Sequence, residues 1–368
     1  MIEPRTLEEI PTPAAVVDLN RMTANLDRMA RYTSEAGLAL RPHTKTHKSP
    51  QLAREQLRRG AVGITVATVR EAEVLSSVAD DILLAYPPVG PHKLERLFAL
   101  PDHVKLTVAV DSTEALNLLG RFARERSRHI RVLIEIDAGM HRVGIAEPPA
   151  AAALASTVQD HANLSFAGLL FYPGHIREHV DLQGSAFERL AATVQDHLDA
   201  LQRAGLQALV VSGGSTPAAF GSHRVPGLTE IRPGTYIFND RTTAAIGACA
   251  WEDCAYTVLA TVVSTSVSGQ AVVDAGSKAL SRDDIRGADA PGFGALIDRP
   301  DVVVKGLSEE HGLLDLSHTD WRPRVGDYVR IVPNHVCVSV NLIGRVWGAR
   351  GNTIETSWDA LARGWQPA

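Results

Sequence analysis

LALRPHTKTHKSP, residues 38–50, is the stretch on which the reading of this chain turns. Taken as a strand, its alternation puts Arg41, His43 and Lys45 on one face and Leu40 and Pro42 on the other. The apolar face suits a layer of surrounding helices. The polar face then points inward at the C-terminal end of the strand, where barrel enzymes carry their catalytic groups. A lysine held there, away from water and beside cations such as Arg41 and Lys48, is favoured as the neutral amine that Schiff-base chemistry needs. The plain alternative is a basic surface loop. His43 and His47 either orient the lysine or meet solvent.

Outward from this segment the chain alternates between short apolar runs and amphipathic stretches. Ser49-Pro50 reads as an N-cap followed by a proline at the first helical position, and Gly60 closes that helix. Thr68-Val69-Arg70-Glu71 reads as a capping box. Candidate strands fall at 38–45, 63–67, 81–86, 105–110, 131–137, 165–172, 208–214 and 229–238. Eight strands alternating with helices predict an α/β fold, a (β/α)8 TIM-type barrel, with a doubly wound open sheet as the competing arrangement. From about residue 254 the texture becomes rich in Val and Thr with Gly at turns, which predicts an antiparallel β domain. The expected division is a barrel over 14–245 and a β domain over 246–368 joined by residues 1–13.

Composition fits this plan. Of the 368 residues, 45% are hydrophobic and 21% charged, enough for a large core. A net charge of −5 argues against nucleic acid and anionic membrane as partners. No apolar run has the ~20 residues of a membrane helix. The start MIEPRTLEEIPTPAAVV lacks a basic region followed by an apolar one, so no secretory signal is expected. Three cysteines, Cys249, Cys254 and Cys337, do not make a disulfide framework in so long a chain, which points to a reducing cytoplasm.

Two further patterns carry chemistry. VVSGGSTPAAF (210–220) ends a strand in Gly213-Gly214-Ser215-Thr216, where small residues let backbone N–H groups approach an anion and hydroxyls donate as well. A helix starting after Pro217 would add its positive end. Gly234-Thr235-Tyr236 is a second stretch of this kind after the eighth strand. In RIVPNHVCVSVNL, read as a strand, His335 and Cys337 share one face. Imidazole plus thiolate is a zinc-favouring pair that leaves positions open for water and substrate, although a cysteine in a Val-rich strand also serves as a small buried hydrophobe.

TPAAVVDL, RPHTKTHK and GAVGITVATVREAEVL resemble the D-threonine aldolase and D-serine dehydratase family nearly end to end. These are enzymes with pyridoxal 5'-phosphate (PLP) and the alanine-racemase type of fold (fold type III). The resemblance makes Lys45 the cofactor lysine, being the first lysine of the RPHxKxHK motif, and not Lys48. It also implies that His43 lies at the cofactor, and that both Gly-hydroxyl stretches bind its phosphate. Arg232, before Pro233-Gly234, is expected at the pyridine nitrogen, Arg142 of IEIDAGMHRVGI near the phenolic oxygen, and Tyr172 of FYPGH in the pocket wall. His-Val-Cys matches the dehydratase pattern rather than the aldolase His-x-Asp, which implies zinc at His335 and Cys337, with manganese and magnesium as alternatives. His311 of GLSEEHG is expected near the metal or supporting it. Cys249 and Cys254 have no motif around them.

The activity so implied is β-elimination from a D-3-hydroxy amino acid, giving a 2-oxo acid and ammonia. The alternative is retro-aldol cleavage to glycine and an aldehyde. A racemase would need a second acid/base on a Gly-Tyr-Ala-like motif that is not found, and a non-catalytic PLP carrier would resemble the barrel alone. The resemblance also implies a homodimer.

Overall fold

The computed structural model describes residues 4–365. Contacts divide the chain into two compact units. One takes in the described part of Met1–Arg28, with Glu178–Val180 and Thr235–Leu361; the other takes in Met29–Arg177, Asp181–Gly234 and the described residues from Ala362 onward.

The second unit holds eight parallel strands. They are β2 (Ala39–Leu40), β3 (Ile64–Val66), β4 (Asp81–Leu84), β5 (Lys105–Val110), β6 (Ile130–Glu135), β7 (Leu164–Leu170), β8 (Val210–Gly213) and β9 (Glu230–Ile231). Their spatial order is β2-β9-β8-β7-β6-β5-β4-β3. A parallel bridge between His43 and Thr65 joins the two ends, so the sheet closes as a barrel. Each of the eight sequence segments supplies one strand, and helices run between most of them, including Pro50–Arg58, Val69–Leu75 and Thr113–Glu125. Leu83, Ala109, Leu133 and Leu170 pack together from four neighbouring strands, all facing inward, as parallel strands buried on both sides require.

Two capping expectations can be checked atom by atom. Thr68 accepts from the Glu71 N–H at 3.1 Å, as a cap does, but the Glu71 carboxylate turns to the Ala67 N–H and Lys48 instead of closing the box. The helix after Ser49 does start on Pro50, but the Ser49 hydroxyl donates to Gln51 and caps no backbone N–H; Gly60 follows the helix end with a positive φ.

The first unit carries the antiparallel strands β10 (Tyr256–Ser264), β11 (Gln270–Val273), β12 (Gly294–Leu296), β13 (Arg299–Leu307), β14 (Gly312–Asp315) and β15 (Tyr328–Pro333). These pair in a ring, because β10 also pairs with β11. The sheet then extends through β1 (Ala14–Asp18), β16 (Arg345–Arg350) and β17 (Thr353–Asp359). Strand β1 lies antiparallel to β10 and parallel to β16, so the segment expected to open the barrel at residue 14 belongs to the β unit. Residues 235–245 also fall in that unit, which shifts both expected boundaries. The physical reason is a three-strand pairing that no local pattern in AAVVD encodes.

Candidate active site

The decisive strand is much shorter than its alternation implies. The regular strand stops at Leu40, single backbone bonds carry the pairing on through Arg41 and His43, and Lys45 sits in a 3-10 turn, Thr44–Thr46. Proline at 42 has no N–H to continue the ladder. The expected facing survives this correction: His43 and Lys45 both line a cavity at the C-terminal mouth of the barrel. The cavity is lined as well by Ala85, Glu135, Leu170, Arg142, Tyr172, Gly214 and Arg232.

Lys45 and Lys48 meet different fates. The Lys48 ammonium is held 2.7 Å from the buried Glu71 carboxylate. Arg41 is likewise neutralised, bonded through Nε to Glu230 and through Nη1 to Asp81. The cations expected beside Lys45 are therefore paired away, and those that share its cavity are Arg142 and Arg232. Lys45 Nζ lies 5.7 Å from the centre of the Tyr172 ring, and the Arg142 guanidinium lies 5.0 Å from the same centre.

His43 is neutral: burial, then Lys45, Arg232, Lys48 and Arg142, hold its imidazole well below the ordinary range. Its Nδ1 is buried without a partner. His47 neither meets solvent nor orients the lysine. It is fully buried, accepts from the Ser49 N–H at Nδ1 and bonds Gln56 through Nε2, and burial lowers it to about 4.

Arg232 donates from Nη1 to Ser212 Oγ at 2.5 Å and from Nη2 to the Phe171 carbonyl at 2.7 Å. Ser212 in turn donates to Glu230. Burial pulls the guanidinium down to about 10, against the pull of Glu230 and Glu135, and it stays protonated at neutral pH. The Gly-hydroxyl stretch after β8 is tightly built. Gly214 has φ +88°, a conformation that favours glycine, and a Cβ there would meet Ile231 at 3.0 Å. Ser215 is buried and its Oγ has no partner, while Thr216 is buried beside it. The segment beyond Pro217 is a 3-10 stretch, Ala219–Arg224, and not the expected α-helix, so no α-helix start adds its positive end there. A Cβ on Gly234 would meet the His43 carbonyl and Thr46 Oγ1, each at 2.8 Å. Thr235 and Tyr236 continue into a 3-10 turn in the β unit, where Thr235 Oγ1 lies 3.9 Å from Cys337 Sγ and Tyr236 is buried.

His335 and Cys337 converge by a route other than the expected strand face. Strand β15 ends at Pro333, His335 is the N-cap of a helix Val336–Ile343, and Cys337 is that helix's second residue. The two side chains hydrogen-bond each other. The Cys337 sulfur, working against burial and joined by Asp240, raises the His335 imidazole to about 11. His335 Nδ1 lies 3.0 Å from Asp240 Oδ2, which also accepts the Val336 N–H at 3.2 Å. With Nδ1 on Asp240, Nε2 is the ring nitrogen on the Cys337 side, where a metal would replace the proton the two side chains share. Asp240 was not legible as part of the site, although Asp240-Arg241-Thr242-Thr243 has cap spacing and forms a capping box. His311, expected in this role, is exposed at the turn between β13 and β14. Cys254 is a buried core residue beside Ile297 and Val332. Among the described residues no cluster of three or more His, Cys, Asp or Glu side chains is arranged to hold a metal.

A parallel barrel with a lysine and two arginines at its mouth, followed by a β unit with a His-Cys pair, defines a class of protein, and comparison identifies it. The family described as alanine racemase, N-terminal domain, matches residues 17–242, and one described as "Putative serine dehydratase domain" matches 255–348. The chain belongs to this alanine racemase-like family. It is 38% identical over 355 residues to D-threo-3-hydroxyaspartate dehydratase of Delftia sp. (strain HT23), covering 91% of this chain and 93% of that one. The crystal structure of D-threonine aldolase from Filomicrobium marinum matches with a TM-score of 0.90 at 32% identity, over 99% of this chain and 98% of that one. A cysteine-to-alanine variant of D-threo-3-hydroxyaspartate dehydratase, solved in a metal-free form, matches with a TM-score of 0.89 at 36% identity, over 98% and 100%. Among the described residues no helix is long and apolar enough to cross a membrane.

Proposed function

We propose that this protein is a PLP- and metal-dependent lyase that eliminates water from a D-3-hydroxy amino acid, 3-hydroxyaspartate or D-serine, and yields a 2-oxo acid and ammonia. One observation carries the reading: of the two lysines in the motif, Lys48 is ion-paired to Glu71, whereas Lys45 makes no ion pair among the described residues and faces the barrel-mouth cavity. The donors around that cavity suit a phosphorylated pyridine aldehyde. The buried, partnerless atoms His43 Nδ1 and Ser215 Oγ are polar groups that a ligand would satisfy. Gly213 to Thr216 and Gly234 to Tyr236 would hold the phosphate, Arg232 would face the ring nitrogen, Arg142 the phenolic oxygen, and Tyr172 the pocket wall.

When bound, the cofactor supplies an electron sink at Cα and the metal supplies Lewis acidity at the β-hydroxyl. The chain's own part is then definite. Lys45 would hold the aldehyde through Nζ, and the same amine would serve as the base for the substrate's Cα proton. The protonated Arg232 keeps a proton off the ring nitrogen, which favours a reaction whose charge departs at once. His335 through Nε2 and Cys337 through Sγ would hold a divalent ion, zinc by ligand type, with water and substrate completing its shell. The relative solved in a metal-free form supports a metal. We place the protein in the cytoplasm on its sparse cysteines and propose a homodimer on family grounds.

Retro-aldol cleavage uses the same residues and is favoured by the match to D-threonine aldolase. Metal-loaded protein incubated with D-serine, D-threonine and 3-hydroxyaspartate separates the two, with 2-oxo acid as the expected product. Glycine plus aldehyde as the main product would overturn the dehydratase reading. Lys45→Ala is expected to abolish both the cofactor's visible absorption band and turnover. Retention of both would overturn the cofactor assignment.

A further inference from the structure

The cavity at the barrel mouth holds one acid among its lining residues, Glu135, and nothing in the proposed reaction uses it. Glu135 is the last residue of β6 and lies on the inward face with Arg131 and Leu133. It is only 3% exposed, and its Oε2 is buried without a hydrogen-bond partner. This is unexpected for a carboxylate among cations, because Lys45, Arg142 and Arg232 line the same space. Each of the three is directed elsewhere. Arg232 donates from Nη1 to Ser212 and from Nη2 to the Phe171 carbonyl. Arg142 stacks over Tyr172, and so does Lys45 Nζ. Asp111, beyond the end of β5, adds like charge, while its own Oδ2 accepts the Gly144 N–H. A buried carboxyl with an empty acceptor and no ion pair among the described residues is better accommodated neutral than charged.

Resting on the reading of this cavity as the PLP site, we propose that Glu135 carries a proton whenever the cofactor is bound, and that its ionisation opposes cofactor binding. A phosphate dianion and a phenolate entering the pocket bring negative charge beside Oε2. The carboxyl then keeps its proton, or takes one from solvent. By reciprocity, whatever the cofactor does to that proton, the proton does to cofactor affinity. Glu135 acts here through the charge of the pocket as a positioning residue. The direction is set by burial first, which raises the carboxyl to about 7, with Asp111 adding to it and Arg232 and Arg142 opposing.

The test is PLP binding to full-length wild type and to Glu135→Gln, measured as dissociation constants between pH 6 and 8.5. Taking the ratio of the two proteins cancels the titration of the phosphate and of Lys45. We expect the ratio, wild type over variant, to rise roughly tenfold across this range, because only wild type gains a charge in the pocket. Parallel profiles would overturn the proposal and leave the cofactor reading standing; no PLP binding by wild type at any pH would overturn both. If Glu135→Gln does not fold, the infrared difference between PLP-loaded and free wild type at pH 8 decides. A gained protonated-carboxyl band supports the proposal, and no gain overturns it.

Discussion

Asp240 Oδ2 touches both His335 Nδ1 and the Val336 N–H, so a single carboxylate oxygen sets the ring orientation of one proposed metal ligand and caps the helix that carries the other. Asp240→Asn keeps the shape but replaces a charged acceptor with an amide. We expect metal affinity to fall roughly 10–100-fold, the usual effect of losing such a partner, read by competition with a chelator. A change under twofold would show that His335 needs no orienting group. The residue scale is also where alternation proved informative and incomplete. It placed Lys45 and His43 toward one cavity, but it did not show that Arg41 and Lys48 are drawn off by Glu230, Asp81 and Glu71. Those acids lie 23 to 189 positions away along the chain, so no local pattern could pair them.

At the scale of elements, the helix Val336–Ile343 is the clearest case of tertiary structure overruling propensity. VCVSVNLI is strand-like in composition, yet it coils because Asp240 satisfies its first N–H and because Val336, Ser339 and Val340 fall on one buried face. Ser339 anchors that face, bonding the Tyr256 hydroxyl at 2.8 Å and donating to the Ala279 carbonyl at 2.6 Å. Ser339→Ala leaves a buried phenol with no partner in its place. We expect a loss of about 1–3 kcal/mol, measured by denaturant unfolding. Burial pushes that phenol well above its ordinary value in any case, so it stays a neutral hydroxyl throughout the working range. An unchanged midpoint would mean that the hydroxyl pair contributes nothing. The i, i+3, i+4 spacing of the buried residues was present in the sequence, and its β-branched content hid it.

At the scale of the whole molecule, Glu135 connects the pocket to global stability. Its carboxyl is raised in the fold from the ordinary 4.5 to about 7, so the native state holds a proton that the unfolded chain releases between those values. Stability of the cofactor-free protein therefore falls as pH rises through that window, by roughly 3 kcal/mol at most, and is flat above it. His47 has the opposite sign: its lowered value costs stability as pH falls from 6.5 toward about 4. The difference between wild type and Glu135→Gln isolates the carboxyl. We expect wild type to lose ground to the variant steadily from pH 4.5 to 7, followed by thermal or denaturant unfolding. A constant difference across that range would show that Glu135 is ionised throughout.

The sequence alone determined what depends on neighbours in the chain. The succession of eight apolar runs and intervening helices set the barrel, because each element's burial follows from its own periodicity. The lysine of RPHTKTHK and the His-Val-Cys triplet are likewise local, and the sequence with its family resemblance singled out both as candidates. Only the tertiary structure decided which cations are paired with distant acids, that β1 leaves the barrel for the other sheet, and that the His-Cys pair meets across a helix start. It also placed one acid, Glu135, in a ring of cations without a partner. These outcomes rest on contacts between residues far apart in the chain, and such contacts have no periodicity to read.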